Sequence, residues 1–424
     1  MAQITLNNPG NSFTAGSLNP GDQIILRPDI NYTYLYIGGI NGNSASPITI
    51  VTQNNSQVNM SAGISIEDCS YLHVDAGNGG TYNIKITAQA DSGVPVVVKG
   101  HSHNIELNGI EAINGIGGMW VKTELEDTHC DSTLLYPNRI DTITIHDCYI
   151  HGTHGDGLYL GSTDPFGGNR PLNCNGVTTY PRPQGLSNIV VYNIRVDSVN
   201  RTGIQLSGAD QGVNKIYNCI ISNCGLEYNN TQGAGIFVGG ATTDCEVYGN
   251  TINNTWEHGI FSYGLGTTYI HDNVVNGSGL LGDRNIGYAM SNIFHNFLNT
   301  GNAILKIMNN TCGSNTDTTD DYKIAVYNNA GTGGSSQNII CNSGKVYVQT
   351  GVVYGTNCTG VIIPPPNPTV TSYSNNYTNA TATLKFSDGT TKVISNVIKV
   401  CNNYKQKNYN VFLADGTKQT YIAS

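Results

Sequence analysis

Charge is scarce in this chain. Of its 424 residues only 12% are charged, and 20 Lys+Arg stand against 29 Asp+Glu, for a net charge of -9. No basic run occurs, which argues against nucleic acid as a partner, because neutralising phosphates takes clustered Lys and Arg. Long apolar runs are missing as well. No stretch approaches the ~20 residues that span a bilayer. Metal-ligand spacing is missing too: the 11 cysteines include no CxxC and no Cys/His cluster, so no structural metal is expected. The odd number leaves at least one thiol unpaired if the others pair. The N-terminus, MAQITLNN, has no basic and apolar leader.

What is present in bulk is glycine, at 51 copies, with asparagine and threonine crowding the turns. All three are poor helix formers. The composition therefore suits many short strands joined by tight corners, and the expected fold class is all-β.

Internal repetition gives those strands an arrangement. One type of segment reads Ile145-His-Asp-Cys-Tyr-Ile150, Val191-Tyr-Asn-Ile-Arg-Val196, Ile216-Tyr-Asn-Cys-Ile-Ile221, Val247-Tyr-Gly-Asn-Thr-Ile252 and Ile270-His-Asp-Asn-Val-Val275, with a further copy at Ile307-Met-Asn-Asn-Thr-Cys312. A second type follows: Gly118-Met-Trp-Val121, Gly157-Leu-Tyr-Leu160, Gly203-Ile-Gln-Leu206, Gly235-Ile-Phe-Val238, Gly259-Ile-Phe-Ser262 and, more weakly, Gly287-Tyr-Ala-Met290. The second type recurs every 24 to 46 residues, the longest gaps holding insertions. A unit this short cannot bury its own apolar face, but stacked copies can. Apolar positions two apart demand strands, so the pattern predicts a parallel β-solenoid of roughly 10 coils. In register, one column reads Cys148, Ile194, Cys219, Asn250, Asn273, Asn310. Asparagines at such corners can bond their copies in the next coil. Cysteine in the same column reads as a small buried hydrophobe.

The pattern N-x-x-I…G-I-x-L resembles the right-handed parallel β-helix superfamily, the pectate-lyase-like proteins, over roughly residues 60 to 355. The run from Gly39 to Ile66 looks like the first coils of the secreted bacterial type. The resemblance implies fold far more than function, since this architecture carries lyases, glycosidases, esterases, tailspikes and adhesins. Its members are usually exported, so the expectation is a secreted or cell-surface protein whose leader has been replaced at Met1. A parallel β-helix over residues 1–360 is then followed by a Pro-rich linker, 361–368, stiffened by its prolines. A small β-hairpin module covers 369–424, where Asp388-Gly389 and Asp415-Gly416 each sit between strand-like runs.

Alternation places one set of side chains outside. In the Gly-x-x-x strands, Met119/Val121, Leu158/Leu160, Ile204/Leu206, Ile236/Val238 and Ile260/Ser262 point inward. The outward column is then Trp120, Tyr159, Gln205, Phe237 and Phe261. The next outward column is Lys122, Gly161, Ser207, Gly239 and Tyr263. An apolar stripe facing solvent needs a cover or a ligand. Sugar rings stack on aromatic faces, and a glycan matches a linear groove. The alternative is that two insertions on consecutive coils, 123–138 and 162–185, cover the stripe. Each insertion holds one cysteine, and export would favour a Cys130–Cys174 disulfide.

Ionisable groups collect along one edge of the stripe: His154 and Asp156, Arg201, Glu257 and His258, and Arg284. Each also has a plain reading as a corner residue bonded to backbone. A glycosidase wants paired carboxylates, but Asp156 and Glu257 are three coils apart, roughly 14 Å by strand spacing. The loop acids Glu124, Asp131 and Asp164 cannot be placed from sequence. A β-eliminating lyase needs a base, a uronate clamp and a proton donor. His154 as base or acid, Asp156 beside it, Lys122 or Arg201 on the carboxylate and Tyr159 as donor fit that chemistry better. The expectation is therefore a secreted lyase acting on an acidic glycan, bound along Trp120, Gln205, Phe237, Phe261, Tyr263, Glu257, His258 and Arg284. A non-catalytic glycan-binding protein, a glycoside hydrolase and a tailspike are the alternatives. Calcium-dependent pectate lyases gather several acids on their groove strands, and these strands carry none, so no calcium site and no other cofactor is expected. Nor is the paired-aspartate, Gly-His-Gly pattern of polygalacturonases present. The expected partner is a polysaccharide and the expected state a monomer.

Overall fold

In the computed structural model the described residues are 1–279, apart from 78–79, 126–129, 164–169, 229–231, 241 and 263–266; beyond 279 they are Asn310 and the strands. The chain divides into two units, Met1–Val346 with Val352–Val361, and Tyr347–Gly351 with Ile362–Ser424.

The first unit is a three-faced parallel solenoid. Its first face is a parallel sheet running from Gln3–Thr5 to Ile339–Cys341. The second face runs from the first residues of Asn31–Gly38 and Val58–Glu67 through Ile84–Thr87 and Tyr149–His151 to Thr311–Cys312. On the third, eleven strands pair in series from Gly10–Phe13 to Tyr322–Asn328. The right-handed parallel β-helix expected from the repeat is the fold. The helical turns among the described residues are short 3-10 segments, such as Gln53–Asn55 and Ser132–Leu134. No helix among them is long and apolar enough to cross a membrane.

Two local features explain the repeat. The corner between the first and second faces is made by a single left-handed residue: Asp147, Asn193, Asn218, Gly249 and Asp272 all have φ between 49° and 64°. Asn, Asp and Gly are the residues that visit this region most readily, which is why one of them precedes each member of the Cys148–Asn310 column. That column forms the expected amide ladder. Asn273 Oδ1 accepts from both the backbone N (3.0 Å) and Nδ2 (2.9 Å) of Asn250, and Asn310 Oδ1 accepts likewise from Asn273. Cys148 and Cys219 fill the same column as buried thiols pushed up to about 12 by desolvation. The Gly that opens each third-face strand answers to a close approach. A Cβ on Gly118, Gly203 or Gly235 would stand 2.3, 2.7 or 2.5 Å from the Cγ2 of Ile150, Ile221 or Ile252 on the second face.

Inside, Ile145, Val191, Ile216, Val247 and Ile270 stack coil on coil, each at most 1% exposed; burial of such a side chain contributes about 1.5–3 kcal/mol. Outside the same face, His146, Tyr192, Tyr217, Tyr248 and His271 form a continuous ring stack, with centroids 4.6, 5.0, 4.8 and 5.0 Å apart.

The second unit holds two three-stranded antiparallel sheets, Val370–Asn376 with Thr381–Phe386 and Thr391–Ser395, and Val397–Asn403 with Asn408–Leu413 and Lys418–Ile422. Each hairpin expected around an Asp-Gly turn thus has one more strand before it. The linker 361–368 lies outside the described residues.

The ladder makes a testable prediction. Asn273→Leu removes the acceptor for Asn250 and the donor to Val247 O, so it should cost about 2–4 kcal/mol by denaturant titration. Cys219→Ile, in a column where isoleucine already occurs, should cost no more than about 1.5 kcal/mol.

Candidate functional site

The site lies on the third face, where the register is continuous. Trp120 pairs with Tyr159, Tyr159 with Gln205, Gln205 with Phe237 and Phe237 with Phe261. These five side chains form one outward column, while Met119, Leu158, Ile204, Ile236 and Ile260 behind them are fully buried. The column is not a bare stripe. Gln205 is 3% exposed and Phe237 9%. Part of the cover is the insertion after Gly161, which leans back so that the Tyr159 hydroxyl and Thr163 Oγ1 are 3.1 Å apart. A disulfide joins Cys130 to Cys174, across the two insertions, with Cα atoms 5.6 Å apart. Groove and cover, set against each other in the sequence, are both present.

What remains open is a cavity of ≈240 Å³ lined by Thr163, Thr202, Gln205, Gln232, Ala234, Phe237, Glu257 and Phe261. Its floor is the middle of the outward column, and the Phe237 and Phe261 rings are 5.2 Å apart, tilted by 35°. His258, 5% exposed, packs its ring 5.1 Å from Phe261. A smaller charged cleft of ≈40 Å³ adjoins across Thr163, lined by Lys122, Glu124, Tyr159 and Arg170 among others.

The ionisable residues named from the sequence do not assemble as one group. Lys122 is 8% exposed. Its Nζ lies 4.1 and 3.9 Å from the ring centroids of Trp120 and Tyr159 and is ion-paired with Glu124. Arg201 is paired through Nε with Glu227 at 2.7 Å. His154 sits at an open corner, its Nδ1 2.9 Å from Asp91 Oδ1, and lines neither cavity. Glu124, which the sequence could not place, also holds Arg170 at 2.8 Å. Asp131 caps a 3-10 turn through Thr133 N. Tyr263, Arg284 and Asp164 lie outside the described residues. Among the described residues no group of three or more His, Cys, Asp or Glu could hold a metal ion.

Two carboxyls stand apart from the paired ones. Asp156 is 6% exposed and accepts from Thr202 N at 3.0 Å; burial pushes its carboxyl up to about 6, against the opposing pull of that hydrogen bond. Glu257 is 4% exposed and accepts from Gly233 N at 2.9 Å; burial pushes it up to about 7. Both bonds shorten the gap between them. Asp156 reaches forward to the next coil, that of Thr202, and Glu257 reaches back one coil to Gly233. The carboxyls are therefore about two coil rises apart, roughly 10 Å. The three coils between their backbones, which make the two a poor pair on coil count alone, are thus partly bridged by side-chain reach. The cavity lies over the two intervening coils, whose Thr202, Gln205, Ala234 and Phe237 line it. Sequence reasoning missed Thr163, Thr202 and Ala234: the first belongs to an insertion outside the repeat, and the others precede the strands used to define the columns.

A buried carboxyl at neutral pH is directly observable. Near pH ~6 an infrared difference spectrum should show a protonated carboxylic C=O band that titrates at about 7 and vanishes in Glu257→Gln. Because the folded state holds this proton above the ordinary Glu range, wild-type stability should fall as pH rises toward 7, and Glu257→Gln should flatten that slope.

A family model described as "Right handed beta helix region" matches residues 182–275. No curated protein matches the chain. Among solved structures, alginate lyase from Paenibacillus sp. str. FPU-7 is 15% identical, with 83% of this chain and 99% of that one covered and a TM-score of 0.39. The enzymatically active domain of tailspike protein 2 from bacteriophage CBA120 is 12% identical, with 95% and 65% covered and a TM-score of 0.38. Endopolygalacturonase I from Stereum purpureum is 14% identical, with 84% and 95% covered and a TM-score of 0.25. At these identities and scores the likenesses carry no argument about chemistry. The parallel register of the three faces makes the fold a right-handed parallel β-helix, and over residues 182–275 the sequence matches the model of such a region.

Proposed function

We propose that this protein is a carbohydrate-active enzyme that hydrolyses a neutral glycan lying along the third face, with Glu257 as general acid and Asp156 as general base. The observation that carries the reading is a buried carboxyl, Glu257, in the lining of the ≈240 Å³ cavity, with a second, Asp156, held on the backbone N of the lining residue Thr202 about two coil rises away. Inverting glycosidases hold their carboxyls about 6.5–9.5 Å apart and retaining ones about 5–5.5 Å, so a gap of roughly 10 Å leaves room for water and favours inversion. Glu257 gives its proton to the glycosidic oxygen as the C–O bond breaks. Water attacks the anomeric carbon from the opposite face and leaves its proton on Asp156. Solvent then returns one proton to Glu257 and removes one from Asp156. Trp120 and Tyr159 on one side, and Phe237 and Phe261 on the other, offer stacking surfaces along the chain of sugars.

This reading replaces the β-elimination expected from sequence for a physical reason. A lyase must neutralise a uronate, yet Lys122 is committed to Glu124 and Arg201 to Glu227, and among the described residues no Lys or Arg lines the larger cavity. The Lys122–Tyr159–Arg170 cleft is the one observation that favours a lyase, and an unsaturated, ultraviolet-absorbing product from a uronic-acid polymer would establish it. A secreted setting fits this reading, since the Cys130–Cys174 disulfide is stable outside the cell.

The test is a depolymerisation screen on neutral polysaccharides, with reducing ends counted. Activity should rise through about pH 6 as Asp156 ionises and fall above about pH 7 as Glu257 loses its proton. Glu257→Gln and Asp156→Asn should each lower kcat by about 10²–10⁴, and the first-formed anomer should be inverted. Retention of configuration, or full activity in Glu257→Gln, would overturn the assignment. Binding without any cleavage would leave a glycan-binding protein instead.

A further inference from the structure

Gln205 stands out in the cavity floor. It is the one amide in a column otherwise made of rings, and it is 3% exposed. Its Nε2 is buried and has no hydrogen-bond partner among the described residues. A buried donor left unmade costs about 1–3 kcal/mol; this one lies just beneath the cavity lining, and a turn of the side chain presents it to a ligand acceptor. Two neighbours define what that ligand is like. Phe237 and Phe261 follow Gln205 in the same outward column, one coil rise apart each, and both line the cavity. An acceptor oxygen and a small apolar group must therefore sit side by side along the solenoid axis. The lining also carries the Glu257 carboxyl and Gln232, which can exchange hydrogen bonds with a ligand N–H or O–H.

Resting on the hydrolase reading above, we infer that this cavity recognises a 2-acetamido sugar, whose acetamide carbonyl accepts from Gln205 Nε2 while its methyl packs on the Phe237–Phe261 pair. A plain hexose hydroxyl would satisfy the amide but leave the ring pair without a matching methyl. A uronate would place its charge beside Glu257 with no cation among the described lining residues. At ≈240 Å³ the cavity is smaller than the ~300–1,000 Å³ of drug-sized ligand sites, a size for one sugar unit. Gln205 is thus a specificity-determining residue rather than a catalytic one.

The test measures binding, not turnover, so it stands apart from the hydrolase assignment. The intact chain, as wild type and as Glu257→Gln to suppress cleavage, is titrated calorimetrically with matched oligosaccharides: chitotetraose against cellotetraose, an N-acetylgalactosamine oligomer against its galactose counterpart, and tetragalacturonate. At least one acetamido oligomer should bind about 10-fold or more tighter than its hydroxyl counterpart, since a site built to hydrogen-bond a group discriminates strongly against its absence. Gln205→Leu should bring the two within about twofold while leaving the aromatic contribution. If Gln205→Leu fails to fold, the wild-type preference still decides the matter. Equal binding of every matched pair, or no binding of any acetamido oligomer, overturns the acetamido assignment but leaves hydrolysis of a plain hexose glycan standing. Selective binding of tetragalacturonate overturns both. Acetamido binding with no cleavage by wild type supports the specificity and removes the hydrolase.

Discussion

Everything in this molecule depends on the parallel hydrogen-bond register between successive coils. Each coil bonds to the next over three faces, so a residue's neighbours are fixed by its position within the coil and not by its distance along the chain. Trp120 and Phe261 are 141 positions apart in sequence (261 − 120) yet share one column across five strands. The register is held by few devices: a left-handed Asp, Asn or Gly at each corner, a buried amide ladder beside it, and glycines where one face crosses another. None is strong alone. Repeated coil after coil they add nearly independently, as expected of a one-dimensional stack.

That regularity is what made the fold legible. The Ile-x-Asn/Asp-Asn corner and the Gly-Ile-x-Leu strand each have a steric cause repeated in nearly every coil, so alternation alone assigned Met119 and Leu158 to the core and Trp120, Tyr159, Gln205, Phe237 and Phe261 to the outside. The site was legible only in part. Its columns follow from register, but the final ångströms are set by side chains that leave the register. Asp156 and Glu257 lean along the axis toward one another, a movement invisible in a count of coils. The acids that claim Lys122 and Arg201 are Glu124, in an insertion with no repeat to place it, and Glu227, in the irregular segment after Cys224. His154 was read as a groove residue because it precedes a groove strand, yet its ring turns to Asp91 at the open corner.

Electrostatics divide the acidic residues into two sets. Glu106, Asp141 and Glu246 are held below their ordinary ranges, each lowered by side-chain hydrogen bonds: from His146 to Glu106, from Ser187, Asn188 and Thr142 to Asp141, and from Lys215 and His271 to Glu246. In Asp141 and Glu246 those bonds work against a larger opposing contribution from burial. Such groups prefer the charged form and brace the surface. Asp156 and Glu257 are pushed the other way by burial; one backbone N–H opposes it in each, and in Asp156 the charges of Arg201 and Lys122 do so as well. No stability argument accounts for that choice, because an amide at either position would keep the shape of the side chain without the desolvation cost.

The solenoid explains how such a cost can be borne. In a compact single core, strain at one point spreads through close packing. Here each coil contacts only its neighbours, so the burden of two buried carboxyls and an unmet glutamine donor falls on the four coils from Asp156 to Glu257. The coils on either side, stitched by the asparagine ladder and by the His146–His271 ring stack on another face, keep the register. Departures from local design rules that cluster in one place, away from the elements that secure the fold, are what a functional site is expected to look like. On the third face Gln205 and Glu257 meet in one cavity, and Asp156 is held on Thr202 beside it. The same residues that make least sense as structure, Asp156, Gln205 and Glu257, make most sense as chemistry.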